Sequence, residues 1–195
     1  MNEVIGRGAE AELTITDGRV RKERIAKGYR HPEIDERLRK ERTENEARLL
    51  EKAERAGVRV PEVLLIEDYA LEMELVDGEK FRDVFENEEE KWKEFGKDIG
   101  RLHSRNIIHG DLTTSNVILK EGSLYFIDFG LGFFSDRTED RATDLRLLSQ
   151  VLDASHHTVS EEAFERILEG YSEIFERSEE VVKRLEEMEG RTRYG

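Results

Sequence analysis

The fold is decided by one segment, His109-Gly110-Asp111-Leu112-Thr113-Thr114-Ser115-Asn116, and by Asp128-Phe129-Gly130, which begins twelve residues after Asn116. The first segment offers a carboxylate, Asp111, that can accept or orient the proton of an attacking hydroxyl or water. Asn116 and Asp128 offer the oxygen ligands that a hard divalent cation such as Mg²⁺ prefers. This set predicts a site for phosphoryl transfer, in which a protein mainly positions groups and neutralises charge.

Two short apolar runs flank the turn around Gly122, which predicts a hairpin that returns Asp128 close to Asn116. Taken singly, Asp111 could cap a helix and Asp128 could begin a turn. Together with Asn116 they form the arrangement of the protein-kinase-like fold. We therefore predict an α+β, bilobal kinase-like fold with a small β-rich N-lobe and a truncated helical C-lobe.

The N-terminus predicts a glycine loop followed by two strands. Gly6, Gly8 and Ala9 precede an alternating polar and apolar run, and Asp17-Gly18 is a strong hairpin signal. Small residues in such a loop let backbone N–H groups approach the phosphates of ATP closely. We therefore assign Gly6, Gly8 and Ala9 to nucleotide binding, with an ordinary turn as the alternative.

The strand that returns from this turn carries Val20 and Lys22. At this place in a kinase-like fold, Val20 would cover the adenine and Lys22 would reach the phosphates. A lysine on a strand surface is the alternative. A helix is expected from Glu33 to Ala56, and within it we predict that Glu46 holds Lys22 in an ion pair. Glu44 and Glu51 are the alternatives for that role.

The next apolar run, residues 63–66, predicts a short buried strand. A second apolar strand leads into Met73, Glu74 and Val76 and stops at Asp77-Gly78. This pattern predicts the connection between the lobes. There the backbone groups of Glu74 and Val76 would bind the adenine, and Met73 would lie behind it. A plain edge strand and turn is the alternative.

The remaining chain predicts a helical lobe. Residues 79–90 are acidic and expected to be helical, and residues 91–106 show a clear helical spacing of apolar residues. Further helices are expected over residues 138–154, from residue 160 and up to residue 188. The adjacent His156 and His157 are expected to face solvent. The predicted boundaries are residues 1–76 for the N-lobe, 77–190 for the C-lobe and 191–195 for a basic tail.

Composition limits the function classes further. The 195 residues carry a net charge of −14 and no cysteine, which argues against a uniformly basic nucleic-acid surface and against disulfides. The charge is unevenly distributed along the chain. Residues 19–42 contain ten Lys and Arg and five Asp and Glu, whereas residues 67–100 contain five Lys and Arg and thirteen Asp and Glu. No apolar run approaches the roughly 20 residues that span a bilayer. We expect a soluble, cytoplasmic protein without a membrane partner.

Four stretches of the chain together resemble a known family. They are residues 6–11, 22–35, 42–48 and 110–116, and the second contains the specific run Lys-Glu-Arg…Gly-Tyr-Arg-x-Pro-Glu-x-Asp. On these residues the chain resembles the small atypical Ser/Thr kinases of the KEOPS (EKC) complex, the PRPK-type family. The similarity extends over nearly the whole chain.

The resemblance implies ATP and Mg²⁺ as cofactors, and ATP hydrolysis or autophosphorylation as the activity. It also implies three partners: an ASKHA-fold subunit that makes threonylcarbamoyladenosine on tRNA, a small KEOPS subunit on the N-lobe, and tRNA, reached indirectly or through the basic tail. Gly110 replaces the Arg that reads a phosphorylated activation segment in ordinary protein kinases, and Thr113 replaces a Lys that contacts the transferred phosphate. No Ala-Pro-Glu follows Asp128.

Three other functions compete with this interpretation. A small-molecule kinase of the aminoglycoside or choline type also uses His-Gly-Asp…Asn, but it carries a larger helical substrate lobe. A RIO-type kinase is equally small but lacks the Gly-Tyr-Arg-x-Pro run. A non-catalytic scaffold subunit of the same complex would have no use for the full set of Lys22, Asp111, Asn116 and Asp128.

Overall fold

A computed structural model describes residues 3–7 and 10–192, and it shows an α+β architecture with a β-sheet N-lobe and a helical C-lobe. The strands are β1 (Glu3–Arg7), β2 (Ala11–Thr16), β3 (Arg19–Arg24), β4 (Val63–Ile66), β5 (Ala70–Glu74), β6 (Glu79–Lys80), β7 (Ile107–Ile108), β8 (Val117–Lys120), β9 (Ser123–Phe126) and β10 (Phe133–Phe134). The α-helices are α1 (Pro32–Arg55), α2 (Phe81–Val84), α3 (Glu89–Ser104), α4 (Thr138–Ser155), α5 (Ser160–Ile174) and α6 (Ser178–Thr192), and 3₁₀ turns lie at Phe85–Asn87 and Thr114–Asn116.

The N-lobe is built on an antiparallel five-stranded sheet in the order β1-β2-β3-β5-β4. Asp17 and Gly18 both have positive φ, 49° and 74°, as the predicted tight turn between β2 and β3 requires. In the register of β3 and β5, Lys22 lies opposite Leu71 and Val20 lies opposite Met73. The central strand of this lobe therefore carries the predicted lysine.

The prediction that β4 is a buried strand was wrong. Leu64, Leu65 and Ile66 are 40%, 46% and 44% exposed. The strand lies at the edge of the described sheet and pairs with β5 alone, and of its four residues only Val63 packs against the hydrophobic core. An apolar run of this length does not distinguish a central strand from an edge strand.

The core of the C-lobe is aromatic. Phe81, Phe85 and Phe95 are fully buried, and the stacked pair of Phe85 and Trp92 has ring centroids 5.4 Å apart. The indole N–H of Trp92 donates to the Phe85 carbonyl at 3.0 Å, so its polar atom is satisfied inside the core. The predicted helix over residues 79–90 is only partly present, because β6 and a 3₁₀ turn flank the four-residue α2.

Helices α3 and α5 cross at unusually close range because glycines lie at the crossing. A Cβ atom added to Gly96 would lie 1.9 Å from the carbonyl oxygen of Ile167. A Cβ atom added to Gly170 would lie 2.0 Å from the carbonyl oxygen of Lys93. Either contact is far below a van der Waals separation, so both positions require the absence of a side chain.

Some predictions fall outside what the structure describes. Gly8, Ala9 and residues 193–195 of the predicted basic tail lie outside the described residues, and the lobe boundary after Val76 stays a prediction. Across residues 3–7 and 10–192, no helix combines the length and the apolar character needed to cross a bilayer.

Candidate active site

The centre of the site is the ion pair between Lys22 on β3 and Glu46 on α1. The ammonium nitrogen Nζ lies 2.6 Å from Glu46 Oε1, and both side chains are buried. Burial works against the charged form of Lys22, but the neighbouring carboxylates outweigh it and raise its pKa. The alternatives Glu44 and Glu51 lie elsewhere, pairing along α1 with Arg48 and Arg55. The structure thus brings together the lysine and the glutamate that the sequence selected.

Asp128 approaches the same lysine from the other side. Its Oδ1 lies 2.6 Å from Lys22 Nζ and also accepts the backbone N–H of Gly130 at 3.2 Å. Burial works against ionisation of this carboxyl, but the charge and hydrogen bond of Lys22 outweigh it and lower the pKa of Asp128. The side chain is 50% exposed, so a soluble ligand can reach the carboxylate.

Asp111 and Asn116 form a second pair within the loop that follows β7. The side-chain nitrogen Nδ2 of Asn116 donates to Asp111 Oδ2 at 2.8 Å and to the Asp111 carbonyl at 2.9 Å. Because Nδ2 is committed to Asp111, the oxygen Oδ1 is the Asn116 atom left to bind a cation. The backbone N–H of Ile127 donates to the Asn116 carbonyl at 2.9 Å, so the residue before Asp128 is joined directly to this loop.

His109 connects the two halves of the site through its ring nitrogens. Nδ1 accepts the backbone N–H of Asp111 at 3.3 Å, and Nε2 lies 3.2 Å from the Ile127 carbonyl. Burial lowers the pKa of His109, against an opposing effect of Asp144. The neutral tautomer with the proton on Nε2 satisfies both contacts, and the ring packs 4.6 Å from the Phe129 ring.

Asp144 on α4 fixes the backbone of this loop. The sequence analysis did not identify this residue. Asp144 Oδ2 accepts the backbone N–H of His109 at 2.7 Å, and Oδ1 accepts that of Gly110 at 2.9 Å. The carboxylate is 3% exposed. Its signal in the sequence is a charge on the apolar face of α4, next to Leu145 and four residues before Leu148.

Gly110 is required at its position by the backbone. It has a φ of +77°, and an added Cβ atom would lie 2.3 Å from the carbonyl oxygen of Leu131. An Arg, as ordinary protein kinases have here, meets both a strained conformation and a backbone collision. The segment after Asp128 therefore packs against the loop in a way that excludes a regulatory arginine.

The loop also depends on His156, which the sequence analysis placed in solvent. That prediction was wrong, because His156 is 3% exposed and its Nε2 lies 3.1 Å from the hydroxyl of Thr114, between Asp111 and Asn116. Its ring packs 4.5 Å from that of Phe85. Burial lowers the pKa of His156, against an opposing effect of the nearby Glu86. The last turn of α4 directs His156 into the core, whereas His157 is exposed.

The predicted adenine contacts lie along β3, β5 and the connection that follows. Val20 is half-buried, and Met73 and Val76 are buried. The Glu74 side chain accepts Lys120 Nζ at 3.3 Å, and the Glu74 amide donates to the Glu62 carbonyl at 2.9 Å. The Glu74 amide is thus already hydrogen-bonded to the residue before β4, so the Glu74 carbonyl is its backbone group that could bind adenine. Gly6 lies in β1, opposite Leu13.

Mg²⁺ fits the donor set, although the described residues contain no cluster of three or more His, Cys, Asp or Glu side chains that could hold a metal ion. The two protein oxygens available are Asp128 Oδ and Asn116 Oδ1. Mg²⁺ is usually bound by one or two protein oxygens, with the remaining positions filled by water and substrate phosphates. A site with few protein ligands is therefore what a metal–nucleotide complex requires.

Comparison with known proteins agrees with this geometry. The family model described as the RIO domain matches residues 12–140. The protein of Pyrococcus abyssi named KEOPS complex subunit Bud32 is 42% identical over 210 residues, a match that covers 98% of this chain and 96% of that protein. The chain belongs to the Bud32 family. The RIO domain match lies within the region that the Bud32 relative covers. The RIO-type alternative therefore does not conflict with membership of the Bud32 family.

Several longer proteins also match this chain. One, from Methanothermobacter thermautotrophicus, is named a probable bifunctional tRNA threonylcarbamoyladenosine biosynthesis protein and is 44% identical over 198 residues. The match covers 98% of this chain and 36% of that protein, and a counterpart from Methanosarcina acetivorans has the same coverage at 42% identity. The chain thus spans about a third of the length of these bifunctional relatives.

Solved structures show the same fold at low sequence identity. The Rio2 kinase of Chaetomium thermophilum, in a complex with ADP/Mg²⁺ and phosphoaspartate, superposes with a TM-score of 0.67 at 17% identity, covering 94% of this chain and 68% of that one. WaaP in complex with acyl carrier protein gives a TM-score of 0.66 at 17% identity, covering 100% and 88%. These likenesses confirm the predicted kinase-like α+β fold.

Proposed function

We propose that the chain is a Mg²⁺- and ATP-dependent atypical Ser/Thr protein kinase and ATPase that autophosphorylates or hydrolyses ATP. The observation that supports it is that two groups of contacts adjoin each other: Lys22 with Glu46 and Asp128, and Asp111 with Asn116. A backbone hydrogen bond from Ile127, the residue before Asp128, to Asn116 joins them. Lys22 is a buried cation held by two carboxylates, and Asp111 is held by Asn116. Phosphoryl transfer needs a cation that binds the phosphates, ligands for a metal ion and a carboxylate that orients the attacking group, and these residues can supply them.

Each residue has a defined part in the proposed reaction. Lys22 would bind phosphate oxygens while Glu46 fixes its direction. Asn116 and Asp128 would hold Mg²⁺, which when bound neutralises charge on the phosphates. Asp111 would orient the attacking hydroxyl or water and accept its proton. His109 and Asp144 hold the backbone that presents Asp111.

Membership of the Bud32 family supports a role in an assembly. We propose that the chain is a subunit of the KEOPS complex and supports threonylcarbamoyladenosine modification of tRNA, as the names of its relatives state for those proteins. Its partners would be the ASKHA-fold tRNA-modifying subunit and a small subunit on the N-lobe. Contact with tRNA would be indirect or through the basic tail. The cytoplasmic location stays a prediction.

The catalytic proposal is tested with radiolabelled ATP and the purified chain, alone and with its ASKHA-fold partner and tRNA, by following free phosphate and labelled protein. We expect Mg²⁺-dependent turnover that EDTA abolishes and that falls at least about 100-fold in Asp111→Asn and Asp128→Asn. Asp153→Asn, which removes an exposed carboxylate from α4, is the matched control. If the wild type neither binds nor turns over ATP under any of these conditions, the scaffold alternative is correct.

A further inference from the structure

Glu46 has a second buried cation besides Lys22. Arg24 follows Lys22 by two residues on β3, so both side chains leave the same face of the strand. Arg24 Nη2 lies 2.6 Å from Glu46 Oε2, whereas Lys22 occupies Oε1. The same Nη2 donates to the Arg42 carbonyl of α1 at 3.3 Å. The Arg24 side chain is only 4% exposed, so the arginine is buried together with Glu46.

The proposed chemistry requires Lys22 to change partners. Lys22 is shared between Glu46 and Asp128, each at 2.6 Å. When a nucleotide phosphate draws the ammonium group toward itself, Glu46 loses part of its charge compensation. A buried carboxylate left without a cation is strongly unfavourable. Without a second cation, nucleotide binding would therefore favour a movement of Glu46, and of α1 with it, away from Lys22.

The chain also lacks the usual means of holding this helix inward. In ordinary protein kinases, phosphorylation of the activation segment controls the position of the helix that carries the glutamate. Here Gly110 stands where the phosphate-reading arginine would be, and the backbone excludes a side chain at that position. Some other group must fix Glu46.

Other contacts hold α1 without acting on the glutamate. Asn45 Nδ2 donates to the Gly132 carbonyl at 2.8 Å, and the Arg42 guanidinium pairs with Glu10. These contacts locate the helix against the segment after Asp128 and against the start of β2. Apart from Lys22, Arg24 is the cation that the structure pairs with the Glu46 carboxylate itself.

We propose that Arg24 is a positioning residue that keeps Glu46 and α1 inward whether or not nucleotide is bound. Lys22 is thereby free to move from Asp128 to phosphate, and the site needs no phosphorylated activation segment. The inference rests on the proposed function, because it concerns the regulation of the same site.

Hydrogen exchange of α1 tests the structural part without any need for activity. In the wild type, the amides around Glu46 should exchange equally slowly with and without Mg²⁺ and ATP. In Arg24→Met they should exchange at least tenfold faster than in the wild type, and addition of Mg²⁺ and ATP should increase this exchange further, because phosphate draws Lys22 away from a Glu46 that has no second cation. Unchanged exchange in a folded Arg24→Met protein would overturn the proposal. If Arg24→Met does not fold, Arg24→Gln, which keeps a donor but loses the charge, is judged by the same criteria.

Kinetics tests the functional part. We expect kcat/KM for ATP to fall at least tenfold in Arg24→Met, mainly through a higher KM, and Arg24→Lys to recover at least threefold of that loss. Arg21→Met is the matched control: Arg21 is on the same strand, but its ion-pair partners are Glu23, Glu67 and Glu72. It should stay within twofold of the wild type. An Arg24→Met protein within twofold, or a Lys variant as defective as the Met variant, would overturn the assignment.

The two proposals fail in distinguishable ways. A wild type that neither hydrolyses ATP nor transfers phosphate contradicts the proposed function, and exchange in α1 without nucleotide still decides whether Arg24 holds Glu46. An active wild type whose Arg24 variants match it contradicts the inference alone.

Discussion

Lys22 Nζ lies 2.6 Å from Asp128 Oδ1, so the lysine that would bind phosphate is paired with the carboxylate that would bind metal. Asp128 is half-exposed while Lys22 is buried, so solvent and soluble ligands reach this pair from the Asp128 side. A cation and a metal ion compete for the same carboxylate. Entry of a metal–nucleotide complex must therefore separate this pair, and the phosphates offer Lys22 a replacement partner.

Removal of the lysine should therefore favour metal binding in the absence of nucleotide. We expect Lys22→Met to bind Mn²⁺ about tenfold more tightly than the wild type, equivalent to about 1.4 kcal/mol, because Asp128 loses a competing cation. Electron paramagnetic resonance of free Mn²⁺ measures the affinity. Lys40→Met, which removes a lysine paired with the exposed Asp68, should not change it. Equal affinities in wild type and Lys22→Met would show that the pair does not oppose the metal.

The same variant should lose ATP turnover, because phosphate would have no cation on that side of the cleft. Tighter Mn²⁺ binding together with lost turnover would separate the two parts that Lys22 plays. A Lys22→Met protein with normal turnover would contradict its assignment to the phosphates.

Gly110 should be irreplaceable for a reason that is mainly steric. Gly110→Ala places a Cβ atom 2.3 Å from the Leu131 carbonyl oxygen at a φ of +77°. We expect it to cost more than about 2 kcal/mol in the free energy of unfolding, since backbone collision adds to strain of about 1 kcal/mol. Urea unfolding measures the difference.

Gly122→Ala provides a matched control for this prediction. Gly122 has a φ of +72°, but no atom lies within 4 Å of an added Cβ. Its substitution should cost only the strain, about 1 kcal/mol. If the two variants are equally destabilised, the contact with Leu131 does not account for the glycine.

The sequence was sufficient to predict the fold and several contacts of the candidate site, partly from local spacing and partly from the place of each motif in a kinase-like fold. Three of the signals are local in sequence: the spacing of Asp111 and Asn116, the hairpin that leads to Asp128, and the Asp17-Gly18 turn. Glu46 could be selected because helical periodicity places it next to the inward face of α1. The pairing of Lys22 with Glu46, across 24 positions, was expected from the kinase-like fold and not from local spacing.

What the sequence did not reveal depends on contacts between distant residues. Arg24 meets Glu46 across 22 positions, Asp144 meets Gly110 across 34, and His156 meets Thr114 across 42. Arg24 and His156 lie at the end of a strand and of a helix, where a charged or polar residue is equally compatible with solvent, so tertiary packing decides. The same reason made β4 look buried, since its place at the sheet edge is a property of strand order.

The contact between His156 and Thr114 should support the loop that carries Asp111. His156→Phe keeps an aromatic ring beside Phe85 but leaves the buried Thr114 hydroxyl without this partner, so we expect a loss of about 1–3 kcal/mol at pH 7.5. In a double-mutant cycle with Thr114→Val, the coupling should be about 1 kcal/mol. His157→Phe, at the exposed neighbouring position, should change stability by less than about 0.5 kcal/mol.

The same contact gives stability a defined dependence on pH. Burial lowers the pKa of His156 below the usual 6.5, so the unfolded chain takes up a proton that the folded chain does not. Wild-type stability should therefore fall as the pH is lowered from about 6.5 toward the folded-state pKa. Since His156→Phe lacks this group, its deficit should be smaller at pH 5.5 than at pH 7.5. A deficit that grows at the lower pH would contradict the buried neutral histidine.

Asp98 on α3 should show the opposite pH dependence. Its side chain is 8% exposed and pairs with Arg101, and burial raises its pKa from 3.8 to about 6 against the opposing effect of that arginine. Between these values the folded chain binds the proton more strongly, so this group makes stability fall as the pH rises from about 4 to 6. A shift of about two pKa units corresponds to about 3 kcal/mol.

Replacement by a neutral isostere should remove that cost. We expect Asp98→Asn to match the wild type at pH 4 and to be more stable by about 2–3 kcal/mol at pH 7.5. Urea unfolding at the two pH values measures the change, and Asp153→Asn on the exposed face of α4 controls for the loss of one negative charge. If Asp98→Asn were instead destabilised at pH 7.5, the ion pair with Arg101 would outweigh the cost of burying the carboxylate.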